Sequence, residues 1–325
     1  MSSSPSPSPS PPPSPTVAGP PFDKGDADVI LRSSDNVEFR VFKVILSLAS
    51  PVFESLFSLP QPDDPALLPI TYVPGSPPIV ELAEDSATLE AILLLCYPGS
   101  KAILAPSVRS VWDFAAALTK YDMEAVMGEG KEVILSQFVE KHAVSIYALA
   151  CHFGWRDVAE RAAAETLKIK SLGRTTTYVD EMETMTAATY QRLISYHIAC
   201  GEIAQKVAVG KDSPRACALR LYLPRKYAFD GNKPPAPWNV TSAVEGADWF
   251  VTYRTAIGRE LWSRPSPSTL YDDGSSSFKN VVTRGLTGKL TSPQAELFGS
   301  LVRARQHCAE EVQEAISTVE LEFKS

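Results

Sequence analysis

Two short runs of strand-forming residues, at positions 28–33 and 37–41, constrain the fold more than any other part of the chain. The three residues between them, 34–36, read Ser-Asp-Asn, a combination that favours a turn. Across 37–41 the sequence VEFRV alternates strictly between apolar and charged side chains. Strict alternation is typical of a strand with one buried face. The pattern therefore predicts a β-hairpin with one face in a hydrophobic core.

Helical segments follow the hairpin directly. Residues 42–48 are apolar at helical spacing, and Ser50-Pro51 supplies an N-cap and a first-turn proline for a second helix. Seven prolines within 60–78 predict a loop, after which 79–82 resumes strand character. Asp85 or Ser86 can cap a third helix that stops before Pro98-Gly99. The predicted order is thus strand, strand, helix pair, loop, strand, helix.

This ordered set of residues resembles the BTB/POZ domain, and in overall style its fungal members. The matching pattern is Asp28-Val29-x-Leu31, Phe39-x-Val41-Phe42-Lys43-x-x-Leu46-Ser47-x-x-Ser50-x-x-Phe53-x-x-x-Phe57, Val80-x-Leu82 and Leu89-x-x-Ile92-Leu93-x-x-x-Tyr97. The resemblance covers residues 22 to about 122. It implies an α+β fold class, with a small β-sheet and packed helices, and a homodimer whose role is protein–protein interaction. The homodimer needs apolar surface on the first helices, for which Val44, Leu48, Phe53 and Phe57 are candidates.

The resemblance also points to charged residues that border a partner-binding pocket. At the positions of Asp28 and Lys43, with Arg40 nearby, one branch of the family has a charged pocket at its dimer surface. Asp28 and Lys43 are therefore expected to pair across a groove and orient a partner peptide. An equally weighted interpretation is that Asp28 only caps the first strand. Phe42 stands where most members have histidine, so an apolar ring replaces a hydrogen-bonding one.

Two further functions belong to other branches of the family. Ubiquitin-ligase adaptors place a hydrophobic-x-Glu triplet after the second helix, and this chain has Leu59-Pro60-Gln61 there. Glutamine in place of glutamate, with proline between, weakens a cullin contact through Leu59 and Gln61. The alternatives to a plain interaction module are a substrate adaptor of a cullin-based ubiquitin ligase and a nuclear transcription cofactor.

The remaining sequence divides by composition. Residues 1–21 contain 16 Pro or Ser, which predicts a disordered tail with Ser-Pro steps open to proline-directed phosphorylation. Residues 123–209 read as a helical extension of the domain at 22–122. The proline-interrupted stretch 210–291 is predicted to be irregular, of unclear fold. Ser292-Pro293 opens an amphipathic helix, 292–325, whose apolar residues run to about Phe323.

Catalytic and metal-binding patterns are missing from the sequence. The glycine clusters at 128–131 and 285–289 lack the spacing of a phosphate-binding loop, and no nucleophile elbow or His-Glu-x-x-His occurs. His197 and Cys200 share a helix face suited to zinc, but a structural zinc site needs four ligands in tight pairs. We therefore predict a chain that is not an enzyme, with no cofactor, no metal and no catalytic residues.

Charge and cysteine usage narrow the partners and the compartment. The net charge of −7 disfavours direct nucleic-acid binding, although residues 203–289 carry 13 Lys or Arg against 7 Asp or Glu. No apolar run approaches the length of a membrane-spanning helix, so no membrane partner is expected. Five irregularly spaced cysteines suit a reducing compartment. The prediction is an intracellular protein of the cytoplasm, the nucleus or both.

Overall fold

The computed structural model describes residues 14–58, 70–71, 75–173, 178–209, 248–272 and 292–324. Of residues 70, 248–254, 292–301, 303 and 304 it describes the backbone only. The chain divides into two compact units, one ending at Glu140 and the other beginning at Lys141. The predicted end of the domain that resembles BTB/POZ lay at residue 122, so the first unit takes in part of the predicted helical extension. The two units are described separately.

A five-stranded mixed sheet organises the described part of the first unit. Its strands are β1 (Thr16–Val17), β2 (Val29–Arg32), β3 (Val37–Val41), β4 (Ile70–Thr71) and β5 (Ile79–Glu81), in the order β1-β3-β2-β5-β4. β2 and β3 are antiparallel, with Leu31 opposite Phe39 and both side chains buried. The predicted hairpin is therefore confirmed. The α+β class is confirmed as well, because this small sheet packs with helices.

β1 lies inside the stretch that the sequence predicts to be a disordered tail. Thr16 and Val17 pair in parallel with Val37 and Glu38, at the edge of the sheet. The predicted boundary at residue 21 is corrected to this extent, while residues 1–13 lie outside the described part of the chain. The physical reason is that pairing on an open sheet edge uses backbone groups, and needs no large apolar side chain.

Five helices lie wholly or partly in the described part of the first unit, and two of them begin at caps that the sequence predicts. The five are α1 (Lys43–Ala49), α2 (Pro51–Ser58), α3 (Ser86–Cys96), α4 (Val108–Lys120) and the first part of α5 (Glu124–His152). The Ser50 hydroxyl accepts a hydrogen bond from the Phe53 backbone N–H at 3.1 Å, so Ser50 caps α2 as predicted. Asp85 caps α3 by accepting from the Thr88 N–H at 2.8 Å.

The second unit is helical throughout its described elements. The α5 helix has a break at His142, whose backbone torsions of φ −127° and ψ 36° are not helical. After it come α6 (Arg156–Thr166), α7 (Ala187–Val209), α8 (Asp248–Ser263) and α9 (Ser292–Ser317), with short 3-10 turns at Asp180–Thr184 and Pro267–Tyr271. Their shared core includes Leu167, Cys200, Ala204, Ala208, Ile257, Leu261, Leu270, Cys308, Ala309, Val312 and Ile316.

Two predictions for this unit need correction. The stretch 210–291 was expected to be irregular, yet its described part contains α8 and a 3-10 turn, which bury Ile257, Leu261 and Leu270 in the core. The last helix ends at Ser317 rather than near Phe323. Beyond Ser317, Leu321 is still buried without belonging to a helix, so apolar spacing alone overestimated the helix length.

Candidate partner-binding surface

Asp28 holds the start of α1. Its carboxylate Oδ1 accepts a hydrogen bond from the backbone N–H of Lys43 at 2.7 Å, although the Asp28 side chain is exposed. The first amides of a helix have no partner within the helix, and a carboxylate is a strong acceptor for them. Asp28 therefore caps the first helix. Neither sequence interpretation, a pair with the Lys43 side chain or a cap on the first strand, matches this contact.

A second bond at the same helix end comes from an aromatic residue of α3's C-terminal end. The backbone N–H of Phe42 donates to the hydroxyl of Tyr97 at 3.2 Å. Partial burial is the main reason that the pKa of Tyr97 lies above its usual range, so this hydroxyl stays neutral. The phenylalanine ring at position 42 makes no hydrogen bond, but the Phe42 backbone N–H is still bonded to the Tyr97 hydroxyl.

An aromatic column supports the corner between α1 and α2. Phe53 stacks on Tyr121 with ring centroids 4.6 Å apart, and Phe57 stacks on Phe53 at 5.9 Å. The Lys43 ammonium lies 5.9 Å from the centre of the Phe57 ring, within cation–π range. Because Phe53 is 0% exposed, it cannot touch a partner, and its prediction as a partner-binding residue is corrected. Phe57 is half-buried in the same column.

Ser50 connects this corner to the C-terminal end of α4. Its hydroxyl donates to the backbone carbonyl of Tyr121 and accepts from the Phe53 N–H. Both bonds are buried, so the hydroxyl is fully used and cannot swing toward solvent. Ser50 thus ties the corner between α1 and α2 to the residue that follows α4.

Exposed aliphatic side chains cover the outward faces of α1 and α2. Val44 is 62% exposed, Leu48 is 79% exposed and Val52 is 40% exposed. Val44 and Leu48 are four residues apart and so share one face of α1. We call this set, Val44, Leu48 and Val52, the α1–α2 surface. Sequence reasoning proposed Val44 and Leu48 but missed Val52, which is exposed in the first turn of α2.

Charges are sparse around the α1–α2 surface. Between residues 43 and 58 the only charged side chains are Lys43 and Glu54, so the two helices carry no net charge. Lys43 lies against Phe57, as described. Arg40 lies on β3, where its backbone N–H bonds to the Phe22 carbonyl at 2.9 Å, beside Asp23. Among the described residues no hydrogen bond or ion pair joins the Arg40 side chain to Asp28 or Lys43, and the charged pocket that Asp28 and Lys43 were expected to border stays a prediction.

Other predicted chemistry has a plain outcome. Leu59 and Gln61 lie outside the described residues, so the cullin-contact prediction stays untested.

His197 and Cys200, the two residues considered for zinc, have other surroundings. His197 Nε2 is 3.1 Å from the Ile169 carbonyl oxygen, and burial raises the pKa of the Cys200 thiol to about 11. The described residues contain no cluster of three or more potential metal ligands, so neither His197 nor Cys200 belongs to one. Within the same residues, no helix combines the length and apolar character needed to cross a bilayer.

Comparison with known protein families gives a match to the region that contains the α1–α2 surface. Residues 21–137 match the model of the BTB/POZ domain. The match begins one residue before the core residue Phe22 and ends within α5, close to the end of the first unit at Glu140. No curated protein matches the chain.

Proposed function

Since residues 21–137 are a BTB/POZ domain, we propose that this chain associates with a second copy of itself through the α1–α2 surface, and in that form recruits other proteins. Domains of this family are protein–protein interaction modules rather than enzymes. The observation that carries the proposal is the pair of exposed aliphatic residues on α1, Val44 and Leu48, on helices whose charges sum to zero.

Hydrophobic burial supplies the driving force. A fully buried valine or leucine gains roughly 1.5–3 kcal/mol relative to an exposed one. Val44, Leu48 and Val52 from each of two chains thus contribute roughly 5–11 kcal/mol when allowance is made for their partial burial in the single chain. Association costs roughly 4–15 kcal/mol in lost freedom. Because the two ranges overlap, the three aliphatic residues by themselves only offset that cost, and a micromolar dimer requires further contacts at the rim.

Symmetry also favours a second copy as the occupant. In a two-fold dimer the same patch meets itself, so any charge on the patch faces its own kind. The exposed face of α1 avoids that repulsion, because Lys43 is the helix's one charged residue and it lies over Phe57. An apolar, uncharged patch is compatible with a second copy of itself. A charged partner surface would find no group of opposite charge there.

Sedimentation velocity on the full chain tests the proposal. We expect the wild type to sediment as a dimer at tens of micromolar, and the V44E/L48E variant to sediment as a monomer, because four glutamates would meet at the two-fold axis. I103E is the matched control: Ile103 is 77% exposed in the same unit but lies outside α1 and α2, so this variant should remain dimeric. Circular dichroism checks that all three proteins are folded.

Two results would contradict the proposal. One is a wild type that stays monomeric over the whole concentration range, and the other is a V44E/L48E variant that remains dimeric. The cullin-adaptor and nuclear-cofactor hypotheses remain predictions. Pull-down with a purified cullin tests the first directly, since Leu59 and Gln61 are the residues on which it depends.

A further inference from the structure

The edge strand β1 is held to the sheet by few interactions. The N–H of Thr16 donates to the Asn36 carbonyl at 3.1 Å, and the N–H of Ala18 donates to the Glu38 carbonyl at 2.9 Å. Thr16 and Val17 are both exposed, so the strand buries little apolar surface. Its pairing with β3 therefore rests on a short ladder that a small change in local free energy can open.

A Ser-Pro step lies immediately before this strand. Ser14 and Pro15 are exposed and belong to no helix, turn or strand. Proline restricts the preceding residue to extended backbone, which is the form that fits the active-site cleft of a kinase. The other Ser-Pro serines whose side chains are described differ: Ser50 and Ser266 are buried, and Ser76 is exposed but follows the left-handed Gly75 in a turn.

The end of the sheet next to Ser14 is acidic. Because β1 and β3 are parallel, the chain before Thr16 lies at the same end as the turn 34–36 that precedes β3. The Asp35 carboxylate at that turn accepts from the backbone N–H and the hydroxyl of Ser86, at 2.9 and 2.6 Å. The Ser34 N–H bonds to the carbonyl of Glu84, whose neighbour is Asp85.

The carboxylates of Asp35 and Glu84 are ionised near neutral pH, because the pKa of each lies below its usual value. Slight burial alone would raise the pKa of Asp35, but hydrogen bonds from Ser33 and Ser86 outweigh it and keep the pKa below the usual value. The Lys120 ammonium is bound to Glu84 at 2.6 Å and neutralises that group only. An added anion at Ser14 would thus enter a region that already carries negative charge.

We propose that Ser14 is a phosphorylation site for a proline-directed protein kinase, and that its phosphate releases β1 from β3. In the step, Ser14 Oγ forms a bond to the γ-phosphorus of ATP while the bond from that phosphorus to the β-phosphate bridging oxygen breaks. ADP leaves, and the serine proton passes to the catalytic base of the kinase. The phosphate carries about −1.5 to −2 charges at pH 7 and is repelled by the acidic turn.

Phosphate mapping and hydrogen exchange on the full chain test both halves of this proposal. The starting protein carries S4A/S6A/S8A/S10A, so that Ser14 is the one remaining Ser-Pro serine of the leader, and the matched control adds S14A. Each is treated with a proline-directed kinase and ATP. We expect phosphate on Ser14, and amide exchange at Thr16 and Ala18 that is faster by about fivefold or more. The Leu82 amide, bonded to the Arg32 carbonyl at 2.9 Å, should not change and serves as the internal reference.

The D35N variant tests whether the phosphate on Ser14 acts through its charge or only through its size. The substituted amide side chain keeps an acceptor oxygen for Ser86 but removes the charge, so phosphorylation should accelerate exchange at Thr16 clearly less in D35N. The proposal is overturned if Ser14 takes up no phosphate, if the phosphate leaves exchange at Thr16 and Ala18 unchanged, or if D35N responds as strongly as its parent. None of these readouts depends on dimer formation through the α1–α2 surface.

Discussion

At the scale of single residues, the first unit relies on a few polar side chains that bond to two partners at once. Ser50 links the start of α2 to the Tyr121 carbonyl, and Glu84 accepts from both the Lys120 ammonium and the Tyr121 hydroxyl at 2.6 Å. A buried polar atom that lost its partner would cost about 1–3 kcal/mol, so such residues hold neighbouring elements in one arrangement.

Glu84 gives the stability of the protein a pH dependence with a definite sign. Burial alone would raise its pKa, but the bonds from Lys120 and Tyr121 outweigh that effect, and the folded-state pKa lies below the usual value. A lowered carboxyl pKa stabilises the fold above the unfolded-state value of about 4.3, and this contribution is lost as the pH falls through the folded-state pKa.

We therefore expect E84Q to lower the free energy of unfolding by about 1 kcal/mol at pH 7, with Lys120 half-exposed and partly screened. The difference from wild type should be smaller at pH 3, below the unfolded-state pKa, than at pH 7. Urea unfolding of both proteins at the two pH values measures it. D113N, which removes an exposed pair with Arg109, is the control and should change little at pH 7. A gap between E84Q and wild type that does not depend on pH would contradict the assignment.

At the scale of elements, the sequence predicts what is local and loses what depends on distant backbone. The hairpin and the starts of α2 and α3 follow from alternation and from cap residues such as Ser50 and Asp85, and all are confirmed. β1 escaped prediction because its order comes from an open edge of β3 rather than from its own residues. The Asp28 cap escaped too, since its acceptor lies 15 residues before the amide it binds.

The close approach of α7 and α8 in the second unit could not be predicted from the sequence either. A Cβ atom placed on Gly201 of α7 would overlap the backbone carbonyl oxygen of Trp262 in α8. Backbone cannot move aside as a flexible side chain does, so only glycine fits between these two helices. The burial of Cys200 and Ala204 on the same face depends on that spacing.

We expect G201A to lower the free energy of unfolding by about 1–3 kcal/mol, because the added methyl group forces α7 and α8 apart. G128A is the matched control: nothing lies within 4 Å of its new methyl group, in the exposed part of α5. That change should be neutral or stabilising by up to about 1 kcal/mol, as for glycine to alanine in other helices. Denaturant unfolding compares the two variants. Equal effects would show that the contact with Trp262 does not set the helix spacing.

At the scale of the whole molecule, the chain is two compact units joined within a helix. The first ends at Glu140, and the break at His142 interrupts α5 two residues later. The matched BTB/POZ region and the α1–α2 surface both belong to the first unit. The self-association that we propose therefore belongs to the first unit.

A chain truncated after Glu140 tests this division. We expect the truncated protein to unfold in one cooperative transition, since the first unit has its own core of Leu31, Phe39, Phe53 and their neighbours. Its sedimentation should show the same monomer–dimer behaviour as the full chain. A truncated protein that is folded yet monomeric, beside a dimeric full chain, would move the dimer contact to the second unit.

The bond from Asp28 to the Lys43 amide changes how related chains should be compared. Asparagine and serine cap helices about as well as aspartate. A chain with asparagine or serine at this position is therefore expected to keep the start of α1. Substitutions at Val44 and Leu48 are the ones that should separate relatives that pair with each other from relatives that do not.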